Sequence, residues 1–137
     1  MPKLVGLILI CSVSYFSQAQ PLSTKNKKAI ELYVQADNYR VRGQFNEAIS
    51  LLKEAIIKDK KFEEAYYRLA ITYKGMENQV QAAETFEHGL ALVPEGARKK
   101  SYLYELADIY LKQGNYAKTQ NFCKLFLQLE KADKRRI

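Results

Sequence analysis

The side chains that most often carry catalysis or bind metals are scarce in this chain. His88 is the only histidine, and the two cysteines, Cys11 and Cys123, lie far apart in the sequence. No glycine-rich phosphate loop is present, and no serine lies in a nucleophile motif. A metal site needs several donors at matched spacing, whereas His88 has only Glu84 and Glu87 beside it. We therefore expect a surface histidine, no metal, no cofactor and no enzymatic activity.

The composition favours a single helical domain. The chain has 137 residues, of which 47% are hydrophobic and 27% are charged, so it can bury one modest core. It contains three prolines and six glycines, and it lacks the alternating Val, Ile and Thr runs that strands need. We expect an all-α domain without a sheet.

The first nineteen residues are typical of a secretory signal peptide. Lys3 gives a positive start, residues 4–10 are largely apolar, and the sequence SQA at residues 17–19 matches a small-x-small cleavage site. The apolar run is shorter than the roughly 20 residues that a membrane-spanning helix needs. We therefore predict cleavage after residue 19 and export to the periplasm or to the periplasmic face of the outer membrane. Lipidation of Cys11 is the alternative, although Ile10 is large for the position before a lipidated cysteine.

A skeleton of aromatic and small residues recurs along the chain. It occupies residues 39–55, returns at residues 110–126, and is present in a weaker form at residues 73–89. Ala48 and Ala82 are 34 residues apart, and Ala82 and Thr119 are 37 apart. A 34-residue period built from two helices is a known repeat architecture. We assign the three extra residues to 97–99, as a longer connection or an earlier helix start.

Apolar positions at three- and four-residue steps place the helices. From residue 29 they predict a first helix that ends at Gly43, because glycine readily takes the left-handed conformation that closes a helix. Ser23 or Thr24 is available as its N-cap. A return helix to about residue 58 completes an antiparallel pair. A second pair ends before Pro94, which cannot continue a helix, and a third follows.

With these residues in place, the chain resembles the tetratricopeptide-repeat family. The resemblance implies a right-handed superhelical stack of three antiparallel helix pairs, after a lead segment at 20–28. The repeats would span 29–62, 63–96 and 100–133, and residues 134–137 would start a truncated capping helix. The matching residues are Ala36, Tyr39, Gly43, Phe45, Ala48, Leu52 and Ala55 in the first repeat, Tyr66, Leu69, Ala70, Tyr73, Ala82, Phe86 and Pro94 in the second, and Leu103, Leu106, Ala107, Tyr110, Gly114 and Tyr116 in the third.

The second repeat departs from the family pattern at its turn. Glu77 and Gln79 stand where the family has a glycine and an aromatic residue. We expect the turn to be reshaped around Gly75 or Asn78, with Val80 in the aromatic position.

The resemblance also implies a concave groove, lined by the first helix of each pair, that binds a segment of a partner protein. Tyrosine suits such recognition because it combines an apolar face with a polar tip, but packing between repeats would also explain it. The groove would present nine residues: Tyr33, Asp37 and Arg40, then Tyr67, Ile71 and Lys74, then Tyr104, Asp108 and Leu111.

Some members of the family clamp the C-terminal carboxylate of a partner with lysine, asparagine and arginine. The corresponding positions here do not form that cage, and we expect an extended or helical partner segment instead. They are Tyr33, Asp37, Arg68, Ser101 and Glu105.

The last predicted helix has apolar residues on more than one side, so we expect a longer chain or a partner to cover it. Cys123 aligns with Leu52 and Phe86, and we interpret it as a small buried hydrophobe. Signal, repeats and short cap together resemble the N-terminal region of Bacteroidetes-type envelope proteins of the OmpA family. That resemblance implies a scaffold in an outer-membrane, secretion or gliding complex.

The basic balance leaves a second function open. The net charge is +7, or +6 once Lys3 is removed with the signal peptide. A basic surface can bind anionic glycan, lipid headgroups or nucleic acid. We favour a solvated helix face and no nucleic acid, because an exported chain rarely meets it. The candidate residues are Lys58, Lys60, Lys61, Lys99, Lys100, Lys131, Lys134, Arg135 and Arg136.

Overall fold

A computed structural model describes residues 21–136, and over this range the chain forms six helices and no strand. Consecutive helices pack against each other as three antiparallel pairs, which confirms the predicted all-α superhelical stack. The predicted signal peptide, Cys11 and Ile137 lie outside the described residues. The helices are α1 (Lys27–Val41), α2 (Phe45–Lys58), α3 (Glu63–Gly75), α4 (Gln79–Leu90), α5 (Ala97–Lys112) and α6 (Tyr116–Lys134).

The lead segment does more than start α1. The predicted N-cap is wrong: Asn26 caps α1, because its side-chain oxygen accepts the amide of Ala29 at 3.0 Å. Thr24 is buried and accepts the amide of Asn26 at 3.1 Å. The Ser23 hydroxyl instead accepts the amide of Glu63, at the start of α3, at 3.1 Å. The lead segment therefore joins the first two helix pairs.

The turn inside the second pair keeps the same form as the other two turns. Glu77 adopts φ 60°, close to Gly43 at 76° and Gly114 at 72°. The amide of Asn78 donates to the carbonyl of Tyr73 at 2.9 Å, and the equivalent bonds in the other turns measure 3.0 and 2.9 Å. The predicted reshaping is therefore wrong, because these backbone bonds hold a glutamate in a conformation that normally selects glycine.

Val80 does not replace the missing aromatic residue. It is 62% exposed, whereas the half-buried Gln79 begins α4 as Phe45 begins α2. The prediction for Val80 is wrong because the turn keeps its usual length. α4 therefore starts at the usual position in the repeat, and Gln79 rather than Val80 occupies the place of the aromatic residue.

Between the second and third pairs the chain forms a short connection. α4 ends at Leu90, four residues before Pro94. This agrees with the clash that a proline ring makes with the carbonyl four residues earlier in a helix. α5 begins at Ala97, so residues 97–99 form its first turn.

Small residues inside each pair and aromatic residues between pairs build the core. Ala36, Ala48, Ala70 and Ala82 have no exposed surface, which lets the paired helices approach closely. Between the second and third pairs, the fully buried ring of Tyr102 packs edge-on against Phe86 at 5.8 Å. It also lies directly on Gly89.

Cys123 is exposed, so the prediction of a buried hydrophobe is wrong. Its counterparts Leu52 and Phe86 are fully buried because the next helix pair covers them. No helix among residues 21–136 covers the corresponding face of α6. That face forms an apolar cleft of about 230 Å³, lined by Leu103, Tyr104, Ala107, Cys123, Phe126 and Leu127.

Within residues 21–136, each helix is either too short or too polar to cross a bilayer.

The contact between Gly89 and Tyr102 leads to a stability prediction. A Cβ at residue 89 would approach the Tyr102 hydroxyl to 2.5 Å and two ring carbons to within 2.9 Å. Gly89→Ala should lower the free energy of unfolding by about 1–3 kcal/mol, the usual cost of overpacking. Urea denaturation followed by circular dichroism measures it.

The matched control is Gly75→Ala, because the nearest atom there is 3.9 Å away and the backbone is helical. Its stability should be unchanged or slightly higher, since alanine favours helix. Equal losses for both variants would contradict the packing of Tyr102 on Gly89.

The left-handed Glu77 leads to a second prediction. Glu77→Gly should raise the free energy of unfolding by about 0.5–1 kcal/mol, because glycine carries no steric penalty at this φ. Gly114→Ala should lower it by a similar amount, since a Cβ there meets nothing within 4 Å and only the backbone is strained. Urea denaturation measures both. A loss of stability in Glu77→Gly would show that the glutamate side chain contributes more than its backbone costs.

Candidate functional site

The nine predicted groove residues all lie on the first helices of the pairs. α1 carries Tyr33, Asp37 and Arg40, α3 carries Tyr67, Ile71 and Lys74, and α5 carries Tyr104, Asp108 and Leu111. Each helix supplies them at steps of three or four residues, which places them along one face. Side-chain contacts then connect that face from α1 to α3 and from α3 to α5.

Arg68 links α1 to α3. Its guanidinium donates to Asp37 at 2.8 Å and to the Tyr33 hydroxyl at 2.9 Å, and it lies over the Tyr33 ring at 5.4 Å. Arg40 also donates to Asp37, at 3.0 Å. Asp37 therefore has two arginine partners and Tyr33 is fixed on both its ring and its hydroxyl.

Lys74 links α3 to α5. Its ammonium group lies 2.6 Å from Glu105 and 2.8 Å from Asp108. Burial alone would lower the pKa of Lys74, but the bonds to Asp108 and Glu105 outweigh it and raise the pKa. Lys112, at 2.8 Å, and Lys74 together lower the pKa of Asp108. Lys74 and Asp108 therefore remain charged at neutral pH.

Arg68 and Glu105 were missed as members of this surface. Sequence reasoning placed them only among the positions that fail to form a carboxylate clamp. A signal was available: Asp37 and Arg68 are 31 residues apart, and so are Lys74 and Glu105. Opposite charges at this spacing meet on neighbouring first helices, because 31 residues is the repeat interval less one or two helical steps: three residues less than the 34 between the first two repeats, and six less than the 37 between the last two.

The three tyrosines have different environments. Tyr33 is half-buried and packs on Phe62 at 5.1 Å. Tyr67 is half-buried between Phe86 and Tyr102, at 5.5 and 5.1 Å, and burial followed by the charge of Glu105 raises its pKa. These two rings hold the repeats together, and they keep part of their surface exposed.

On α5, Tyr104 is 63% exposed and Leu111 is 53% exposed. Both lie on the helix with no following pair among the described residues. They are the two most accessible apolar side chains of the nine.

A cleft of about 280 Å³ lies between α3 and α5 and contains two of the three tyrosines. It combines aromatic faces with charged and hydroxyl groups, which suits a short peptide segment rather than a free ion. Its lining residues are Tyr67, Lys100, Ser101, Tyr104, Glu105 and Phe126.

A larger cleft, about 520 Å³, lies elsewhere, on the outer side of the first pair between α1 and α2. It includes none of the nine residues, and its lining combines polar and apolar surface: Gln35, Tyr39, Asn46, Glu47, Ser50 and Leu51. By the repeat alignment, Gln35 and Tyr39 occupy the positions where Leu69 and Tyr73 pack on the preceding pair. The first pair therefore has a glutamine on this face where the second pair has a buried leucine.

His88 is exposed and stacks on Tyr66, with ring centroids 6.3 Å apart. Among the described residues, no three His, Cys, Asp or Glu side chains are grouped so that they could hold a metal ion.

Two family models described as tetratricopeptide repeat match the chain, over residues 42–102 and 101–133. They overlap at the start of the third pair, and together they cover α2 through most of α6. No curated protein matches the sequence.

Solved structures share the fold at low identity. Two crystal structures of MamA align over 79% of this chain at 20% identity, with TM-scores of 0.73 and 0.72. The chain spans about three fifths of their length, 61% and 57%.

Two peptide complexes align as well. The Yersinia enterocolitica type III secretion chaperone SycD, in complex with a peptide of the translocator YopD, has a TM-score of 0.66 at 17% identity. The alignment covers 73% of this chain and 74% of SycD. The first repeat domain of Spaghetti (RPAP3), bound to the HSP90 peptide SRMEEVD, has a TM-score of 0.67 at 16% identity. It covers 78% of this chain and 85% of that one. The repeat spacing, the three helix pairs and the two family matches lead to one conclusion: the chain belongs to the tetratricopeptide-repeat family.

Proposed function

We propose that this protein is a non-catalytic scaffold that binds a segment of a partner protein along the first-helix surface of the stack. The observation that carries the proposal is the cleft between α3 and α5, where the exposed Tyr104 lies beside the half-buried Tyr67. An exposed tyrosine next to a fixed one offers apolar contact area at a low entropic cost.

The salt bridges support this surface as a rigid platform. Arg68 joins Asp37 across α1 and α3, and Lys74 joins Glu105 and Asp108 across α3 and α5. Positioning the helices before binding reduces the ordering cost when a partner docks. SycD and the first repeat domain of RPAP3, which share the fold, are each solved with a bound peptide.

The charges on this surface favour an internal segment over the carboxylate end of a partner. Asp37 and Glu105 occupy two positions that a carboxylate clamp would need, and their negative charge repels a C-terminal carboxylate. Arg68 and Lys74 are already engaged by these acidic groups.

We also propose that the protein acts in the cell envelope, on the periplasmic side of the outer membrane, as part of an outer-membrane, secretion or gliding complex. The support is the sequence of residues 1–19, together with the resemblance to repeat modules of envelope proteins of the OmpA family.

Peptides selected from a displayed random library against the chain test the groove. Tyr104→Ala should weaken the selected peptides by about tenfold or more, the effect of losing an interface tyrosine. Its stability should remain unchanged, because the side chain is 63% exposed. Fluorescence anisotropy with labelled peptides measures the affinities.

Tyr116→Ala is the matched control, because Tyr116 is 71% exposed at the start of α6, away from the cleft. Peptides that bind Tyr104→Ala as tightly as the unaltered chain would overturn the groove proposal. So would peptides that lose affinity for Tyr116→Ala instead.

Export gives a separate prediction. In a Gram-negative host, the mature protein should be periplasmic and should begin at Gln20 by N-terminal sequencing. Ala19→Trp should block processing, because the cleavage site requires a small residue. Cys11→Ser should process normally. A blocked N-terminus that Cys11→Ser abolishes would favour the lipoprotein alternative.

A further inference from the structure

The antiparallel pairing gathers the positive charge of the chain along one edge of the stack. First helices start at this edge and second helices end at it, so the lead segment, both connections between pairs and the C-terminal residues meet there. Hydrogen bonds show that these segments are in contact: the Asn26 side chain donates to the carbonyl of Lys58 at 3.2 Å, and the Arg98 guanidinium donates to the Glu63 carboxylate at 2.7 Å. We call residues 21–31, 57–64, 91–100 and 130–136 the basic edge.

The charge count is uneven. The basic edge contains thirteen Lys and Arg residues against seven Asp and Glu, an excess of six positive charges. The remaining described residues contain eight of each, so they are neutral as a set. The excess of the described chain is therefore confined to one edge.

Many of these cations keep their charge available. Four cations of the edge form salt bridges within residues 21–136: Lys28 with Glu31, Arg98 with Glu63, Lys99 with Glu95, and Lys100 with Glu130 and Asp133. Lys58, Lys60 and Lys61 have exposed side chains and form no salt bridge with any residue in the described part of the chain. Asp59, which lies among them, instead accepts the amide of Lys61.

We propose that the basic edge docks this protein on an anionic phospholipid surface. The edge consists of helix ends and short connections, whose exposed lysines can contact a bilayer. Lysine accounts for ten of its thirteen cations, and clustered lysines near a membrane are attracted to anionic headgroups.

Exposed apolar residues at the edge favour lipid over a soluble polyanion. Ile57, in the last turn of α2, is 73% exposed, and Leu92, in the connection before α5, is 37% exposed. Apolar side chains beside basic residues stabilise binding at a headgroup interface. Single-stranded nucleic acid instead needs aromatic platforms, and Phe62, the only aromatic residue of the edge, is fully buried.

Co-sedimentation with vesicles tests the proposal. The chain should bind vesicles of equal parts phosphatidylglycerol and phosphatidylcholine, and bind phosphatidylcholine vesicles far less. Lys58→Gln combined with Lys60→Gln and Lys61→Gln should weaken binding by about tenfold or more, since each lysine contributes to attraction by the anionic surface. All variants carry the same residues 1–19, so any contribution of that segment cancels in the comparison.

The matched control removes three cations from outside the basic edge, in Arg42→Gln combined with Lys53→Gln and Lys124→Gln. This control has the same net charge as the lysine triple variant, and it should bind vesicles as strongly as the unaltered chain does. Equal losses in both triple variants would overturn the proposal, because net charge rather than the edge would then control binding. Unchanged binding of the lysine variant would overturn it as well.

Ile57→Ser distinguishes a bilayer from a polyanion. It should weaken vesicle binding and leave binding to heparin and to a single-stranded oligonucleotide unchanged. Tighter binding of the oligonucleotide than of anionic vesicles, with no effect of Ile57→Ser on either, would overturn the lipid assignment. Tyr104→Ala should retain vesicle binding, so the outcome is independent of the peptide groove.

Discussion

Each helix pair in this protein buries its apolar side only against the next pair, and the contact of Tyr102 with Gly89 shows how close that packing is. The tyrosine ring has no exposed surface, and its hydroxyl donates to the carbonyl of Glu63 on α3 at 3.1 Å. One side chain from α5 therefore contacts both helices of the preceding pair. Burial in such an arrangement is nearest-neighbour only, which makes the two ends of the stack different from its middle.

The ends differ from each other as well. The cleft on the outer side of α1 and α2 has both polar and apolar lining, whereas the cleft on the outer side of α5 and α6, which contains Cys123 and Phe126, is almost entirely apolar. The polar side chains at the first end can remain hydrated without another helix pair packed on them. The second end has the same residue types that neighbouring pairs bury elsewhere in the chain.

Polar contacts across the first helices have a different role from the apolar core. Arg68 and Lys74 each bridge two helices, and both remain partly exposed. Partly exposed ion pairs contribute little to stability, so their main consequence is geometric: they set the side-chain orientation of the surface proposed to bind a partner. The basic edge is formed by the helix ends, and it adjoins this surface at Lys100, which also lines the cleft between α3 and α5. One stack can therefore present two neighbouring binding surfaces.

The sequence by itself determined the repeat period, the helix pairs and the small residues between paired helices. These follow from local periodicity and from side-chain size, which a chain carries regardless of its neighbours. Glycine at residues 43 and 114 marked two turns for the same reason. The turn at Glu77 could not be predicted in this way, because the backbone hydrogen bonds that close the turn outweigh the conformational preference of a single residue.

Only the tertiary structure decided which residues are free. Tyr33, Tyr67 and Tyr104 occupy equivalent positions, yet only Tyr104 is largely exposed, because no following pair covers it among residues 21–136. Cys123 is exposed for the same reason. The salt bridges between helices and the basic edge likewise depend on contacts between residues about 31 to 35 positions apart in the sequence. Whether a side chain is exposed or paired is decided by the residues around it in the fold and not by its own type.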